Sequence, residues 1–143
     1  MRKRNKAYKP RTIRIPMTGF RDMLALHMYS SLVGIESAGD LDSFDSLANI
    51  INMIGLAMAD DPRLAHQFRL VQGGASAMND IGRLLEAGLT VQERHTAPVR
   101  VAIGAIDSVL PMMDVSKIYL AEKTAVALLR AQRAQTTGDC INA

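Results

Sequence analysis

The first 14 positions of the sequence contain seven basic side chains, one tyrosine and no acidic residue. These eight residues are Arg2, Lys3, Arg4, Lys6, Tyr8, Lys9, Arg11 and Arg14. Cationic side chains neutralise the phosphates of RNA or DNA and release counterions, which gives affinity without reading sequence. Tyr8 adds a ring on which an unpaired base can stack. The pattern predicts a nucleic-acid-binding arm, and an arm that docks on an acidic protein is the alternative.

The arm differs in charge from the rest of the chain. The 143 residues carry a formal net charge of +3, whereas residues 15–143 carry ten basic and fourteen acidic side chains, a net charge of −4. Pro10 and Pro16 oppose a helix in the arm, and no apolar run follows it as in a secretory signal. The longest uncharged run, residues 46–59, is too short to span a bilayer. We therefore expect an extended or disordered arm over residues 1–16 of a cytoplasmic protein with no membrane partner.

Motifs for catalysis or metal binding are not found. The sequence lacks the P-loop, HExxH, GxSxG and SxxK patterns. Asp40, Asp42 and Asp45 lack the Gly and Glu positions of an EF-hand loop, so we interpret them as a helix start. The three histidines are His27, His66 and His95. No ligand pair has the i, i+4 spacing of a helical zinc site, and His27 is expected in the core. We expect Cys140 to be a solvated thiol, and we predict a non-enzymatic protein without cofactor or metal.

The composition favours helices that pack closely. Apolar residues make up 48% of the chain, with no Trp, 19 Ala and nine Met. We predict an all-α fold, a bundle of about five antiparallel helices over residues 17–135, with a flexible tail at 136–143. The apolar stripes along these predicted helices are broad and rich in Met. A homodimer is therefore compatible with the sequence, as is a five-helix monomer.

Helix starts and core faces follow from capping residues and apolar spacing. The predicted caps are Thr18, Asp42 or Ser43, Asp61 with Pro62 after it, Thr96, and Asp114 or Ser116. The predicted core residues are Phe20, Leu24, Met28 and Ile35; Phe44, Leu47, Ile51, Ile54 and Met58; Leu64, Phe68, Val71, Ala75, Met78, Ile81 and Leu85; Val99, Ile103, Ile106 and Leu110; and Ile118, Ala121, Ala125 and Leu128. Gly73 and Gly74 either kink the third helix or admit a close neighbour.

Two smaller basic groups lie outside the arm. Lys123, Arg130 and Arg133 are in the fifth predicted helix, where we interpret them as complementing the dipole at its end. The other group comprises Arg63, His66 and Arg69. Either group would extend a nucleic-acid footprint if it lay beside the arm.

The segment 3–11, KRNKAYKPR, resembles the start of small proteins of unknown function carried by bacteriophages and other proteobacterial mobile elements. The resemblance implies a phage or prophage origin and assigns no catalytic residue. A phage origin favours two roles. One is a regulatory or packaging-related nucleic-acid binder, and the other is an inhibitor that docks on a host protein such as a defence component. For an inhibitor, we expect a Met-rich patch or the Asp40, Asp42 and Asp45 cluster to carry the contact.

Overall fold

Five α-helices make up most of the computed structural model, which describes residues 17–141 and the side chains of residues 19, 21–114 and 116–135. They are α1 (Met17–Ala38), α2 (Leu41–Met58), α3 (Ala65–Glu86), α4 (Glu93–Val109) and α5 (Val115–Ile141). Short 3₁₀ turns, Pro62–Leu64 and Leu110–Met112, precede α3 and follow α4. No strand occurs between residues 17 and 141, so the all-α prediction is confirmed. The predicted arm, residues 1–16, lies outside the described residues.

One apolar core joins the five helices, and α2 contacts α1, α3 and α5. Most predicted core residues are buried, and Phe44, Phe68, Ala75 and Leu85 are partly buried against that core. The side chain of Phe20 lies outside the described part of the chain. Leu128 is a wrong prediction, because it is 54% exposed.

The helices α3 and α4 approach most closely at Gly74. A Cβ at this position would overlap the Cβ of Ala102, whereas a Cβ on Gly73 would meet nothing within 4 Å. Because α3 continues as one helix through both glycines and Gly74 lies against Ala102, the close-neighbour interpretation is confirmed. Gly82 has a similar role toward α2, since a Cβ there would lie 2.9 Å from the ring of Phe44.

Two predicted helix starts are confirmed. Asp61 accepts a hydrogen bond from the backbone N–H of Arg63 (3.1 Å), with Pro62 in the first position of the 3₁₀ turn before α3. Asp114 accepts from the backbone N–H of Ser116 (3.0 Å) at the start of α5. Both carboxylates therefore satisfy amide groups that a helix start leaves without a helical partner.

Three other predicted caps are wrong. Thr18 lies inside α1, which begins at Met17. The cap of α2 is Asp40, two residues before the first predicted cap, and it accepts from the backbone N–H of Ser43 (3.0 Å) directly after Gly39, whose φ is +60°. Thr96 lies inside α4 and is fully buried, because its hydroxyl donates to the carboxylate of Glu36 on α1 (2.7 Å).

Only the first part of α5 is covered by the rest of the protein. Ile118 and Ala121 are buried, Ala125 is half-buried, and Leu128 and Leu129 are 54% and 46% exposed. The helix continues to Ile141, which corrects its predicted end at residue 135. Between residues 126 and 135, α5 therefore has no buried side chain, and it exposes Leu128 and Leu129.

Candidate functional site

All eight residues predicted to bind nucleic acid lie in the arm, outside the described residues. The structure does describe the place where the arm joins the body. Near the start of α1, Arg21 donates from Nε to Oδ1 of Asp107 at 3.1 Å, which ties this end of α1 to the end of α4. The same end of α1 contacts the 3₁₀ turn Leu110–Met112, and α5 begins three residues after that turn. The arm therefore joins the body close to the start of α5.

Charge is divided unequally between α5 and the helices before it. Residues 17–114 contain six basic and twelve acidic side chains, a net charge of −6, whereas residues 116–135 contain four basic and one acidic, a net charge of +3. Four of the six arginines in the acidic part are in ion pairs: Arg21–Asp107, Arg63–Asp61, Arg83–Asp80 and Arg100–Glu36. Within the described side chains, the net positive charge therefore lies on α5.

An exposed basic face on α5 consists of Tyr119, Lys123 and Arg130, which lie on one side of the helix at spacings of four and seven residues. The Nζ of Lys123 lies 4.6 Å from the centre of the Tyr119 ring, and the three side chains line a shallow groove together with Glu122, Val126 and Ala127. A ring with a cation over it is a surface on which bases and phosphates both bind.

The position of these cations corrects their interpretation from the sequence. The effect of the helix dipole is limited to the last turn. Because α5 continues to Ile141, Lys123 and Arg130 lie several turns before its end.

The second basic group lies at the start of α3. The charge of Lys117 on α5 is the smallest of the contributions that lower the pKa of Asp61 in this group. Within that group Arg63 is held by Asp61 at 2.8 Å, whereas His66 and Arg69 are exposed. The group adds exposed cationic surface close to the start of α5.

The carboxylates with perturbed pKa values all cap helices. The side-chain hydrogen bond from Arg63 lowers the pKa of Asp61 to about 2. The hydroxyl and N–H of Ser43 lower the pKa of Asp40, and the N–H two residues later lowers that of Asp114. In each case hydrogen bonds favour the charged form. The shifts of Asp40 and Asp114 therefore reflect helix capping, which also confirms the helix-start interpretation of Asp40 over a calcium loop, whereas that of Asp61 comes first from the Arg63 side chain.

The histidines have structural or exposed positions. His27 is exposed, so its predicted place in the core is wrong. The Nδ1 of His95 accepts a hydrogen bond from the N–H of Gln92 (2.9 Å) and helps to cap α4. Among the described residues, no group of three or more His, Cys, Asp or Glu side chains could hold a metal ion.

An open apolar cleft, which the sequence did not indicate, lies between α2, α3 and α5 and has a volume of about 690 Å³. Its walls include Met53 and Leu56 of α2, Phe68 of α3, and Leu128 and Leu129 of α5. The signal available in the sequence was the Leu128–Leu129 pair, because both residues lie on the side of α5 that carries Ala121 and Ala125.

Comparison of the chain with family models, characterised proteins and solved structures found no match. Among the described helices, none has the length and apolar character required to cross a membrane.

Proposed function

We propose that this chain is a non-enzymatic accessory protein of a phage or prophage that binds RNA or DNA in the cytoplasm of its bacterial host. Its body is an antiparallel helical bundle, and the basic arm of residues 1–16 makes the main contacts. The observation that supports this most is the separation of charge between residues 17–114, with a net charge of −6, and the basic arm and α5. Because an acidic surface repels phosphates, the nucleic acid approaches from the side of the arm and α5.

The two basic elements contact the same nucleic acid in this proposal. The arm joins the body beside the start of α5, where the Arg21–Asp107 ion pair and the 3₁₀ turn bring α1, α4 and α5 together. Basic side chains of the arm neutralise phosphates, and Tyr8 stacks on an unpaired base. Lys123 and Arg130 on α5 bind further phosphates along the same strand.

Salt dependence of binding tests the proposal with the full chain. Fluorescence anisotropy is measured with single-stranded RNA, single-stranded DNA and duplex DNA over a salt series. If the arm contacts about five to seven phosphates, the slope of log affinity against log salt is roughly −4 to −6. The double variant Lys123→Gln/Arg130→Gln removes two further contacts and makes the slope less steep by about two.

A matched control removes the same charge from α3 and α4. Arg94 lies at the start of α4, about 20 Å along that helix from Asp107 at the rise of an α-helix. Arg83 lies near the end of α3 in an exposed ion pair. The variant Arg83→Gln/Arg94→Gln is expected to keep the wild-type slope. If the salt slope became less steep by the same amount in both double variants, α5 would contribute only through its net charge.

A protein partner is the second candidate, because α1 exposes an apolar stripe on the side away from the core. Met23, Leu26 and Val33 are 64%, 71% and 58% exposed on one side of α1. Under this proposal the arm docks on an acidic surface of a host protein, and the stripe covers an apolar patch beside it. The variant Leu26→Lys/Val33→Lys is then expected not to capture that host protein. Its nucleic-acid binding is expected to equal that of a variant with the same net charge.

A further inference from the structure

Tyr119 is the aromatic residue of the exposed basic face on α5. Its side chain is 54% exposed, and Lys123 lies one helical turn further along with its Nζ 4.6 Å from the centre of the ring. The ammonium group lies over one face of the ring. A planar group that stacked on the ring would therefore be held close to a cation, and a base with its phosphate has both the flat surface and the negative charge that this pair can bind.

The charges around the ring do not distinguish one kind of nucleic acid from another. The groove that contains Tyr119 is lined by two cations, Lys123 and Arg130, and by the carboxylate of Glu122, which leaves a net charge of +1. Single strands and duplexes both carry phosphates, so these cations bind either of them. A preference between the two has to come from the aromatic ring.

We infer that Tyr119 stacks on an unpaired base, so that α5 selects single-stranded RNA or DNA over a duplex. The inference rests on the proposed function, because it concerns the nucleic acid that the arm binds. In a duplex the flat faces of the bases are covered by neighbouring base pairs, whereas a single strand can turn a base onto an aromatic side chain. Lys123 and Arg130 bind phosphates of the same strand.

Tyrosine fluorescence tests the stacking directly, because the chain contains no Trp and only three tyrosines, Tyr8, Tyr29 and Tyr119. The variant Tyr8→Phe/Tyr29→Phe keeps a ring at both positions and leaves Tyr119 as the one tyrosine. Unlabelled oligo(U) and oligo(dT) are expected to quench its fluorescence, and a duplex of the same length is not. The matched control is Tyr8→Phe/Tyr119→Phe, in which the remaining tyrosine is 44% exposed on α1. Its fluorescence is expected not to change.

Anisotropy of the full chain measures the consequence for affinity. Tyr119→Leu removes the ring from an exposed position, so the helical circular dichroism is expected to be unchanged. Its binding to labelled oligo(U) and oligo(dT) is expected to be weaker by about fivefold or more, with little change for a duplex. Tyr119→Phe is expected to restore the single-strand affinity that Tyr119→Leu loses. Tyr29→Leu, the control on α1, is expected to bind single strands and duplex as the wild-type chain does.

The outcomes separate this inference from the function on which it rests. If the wild-type chain bound none of these nucleic acids, the proposed function would be wrong and the inference would be wrong with it. If the wild-type chain bound them and Tyr119→Leu weakened single strands and duplex equally, or weakened neither, the inference alone would be overturned. Bound oligo(U) and oligo(dT) that left the fluorescence of Tyr119 unchanged, or that quenched Tyr29 equally, would also overturn it.

Discussion

The contact between α3 and α4 at Gly74 leads to opposite expectations for two neighbouring substitutions. Gly74→Ala places a Cβ where the Cβ of Ala102 already lies. Because neither Cβ can rotate away, we take the cost of overpacking in unfolding free energy as about 3 kcal/mol, at the upper end of its usual range. Alanine is better than glycine inside a helix by about 1 kcal/mol. The net expectation is a loss of about 2 kcal/mol of unfolding free energy, or about 6 °C in Tm.

The neighbouring glycine provides the control. Gly73 is exposed and has open space around its Cβ position, so Gly73→Ala is expected to raise stability by about 1 kcal/mol through helix propensity alone. In the double variant Gly74→Ala/Ala102→Gly the overlap disappears and the two propensity changes cancel. Its stability is expected to return to within about 1 kcal/mol of wild type.

Urea and thermal unfolding followed by circular dichroism at the helical band measure these differences. The sign of the Gly74→Ala effect is decisive. If Gly74→Ala were as stabilising as Gly73→Ala, the two helices would not approach closely at this position, and the packing of α3 on α4 described above would be refuted.

Two further predictions concern the polar groups of the fold. Thr96→Val is expected to lower the free energy of unfolding in urea by about 1.5 kcal/mol, because it removes a buried hydrogen bond to the Glu36 carboxylate. The control Thr124→Val loses only an exposed hydrogen bond to its own helix, so its unfolding free energy is expected to change little. The low pKa of Asp61, about 2 against an ordinary value of about 3.9, means that its carboxylate stabilises the fold above about pH 4 and that this contribution is lost as the pH falls through about 2. Asp61→Asn is therefore expected to be less stable than wild type at neutral pH and equally stable near pH 2. A difference in unfolding free energy that stayed constant from about pH 4 to about pH 2 would contradict the low pKa of Asp61.

Local signals were sufficient where one helix face was apolar and its start was marked. In α2, Leu47, Ile51, Ile54 and Met58 recur at alternating spacings of three and four, and all are buried. Asp61 before Pro62 marks the turn into α3 because a capping carboxylate and a fixed φ act within three residues. Such features depend on neighbours in the sequence, so the sequence contains all the information they require.

The features that the sequence did not predict depend on distant residues. Thr96 is buried inside α4 because Glu36, sixty residues earlier, accepts its hydroxyl. Leu128 keeps the helical spacing of a core residue, yet α5 passes the point at which the other helices cover it. α1 has apolar residues on two sides, and only its packing on α2 and α4 decides that Met28 is buried and Leu26 exposed. The cleft likewise arises from how α5 lies on α2, which no local pattern encodes.

Anisotropy of the full chain and of a chain lacking residues 1–16, each with single-stranded RNA, single-stranded DNA and duplex DNA over a salt series, tests the central claim most directly. Among the described side chains, the buried core residues begin at Leu24, so the shortened chain is expected to keep its helical circular dichroism. We predict that the full chain binds with a steep salt dependence and that the shortened chain loses this binding. Equal binding by the shortened chain, or no binding by the full chain at low salt, would contradict the account.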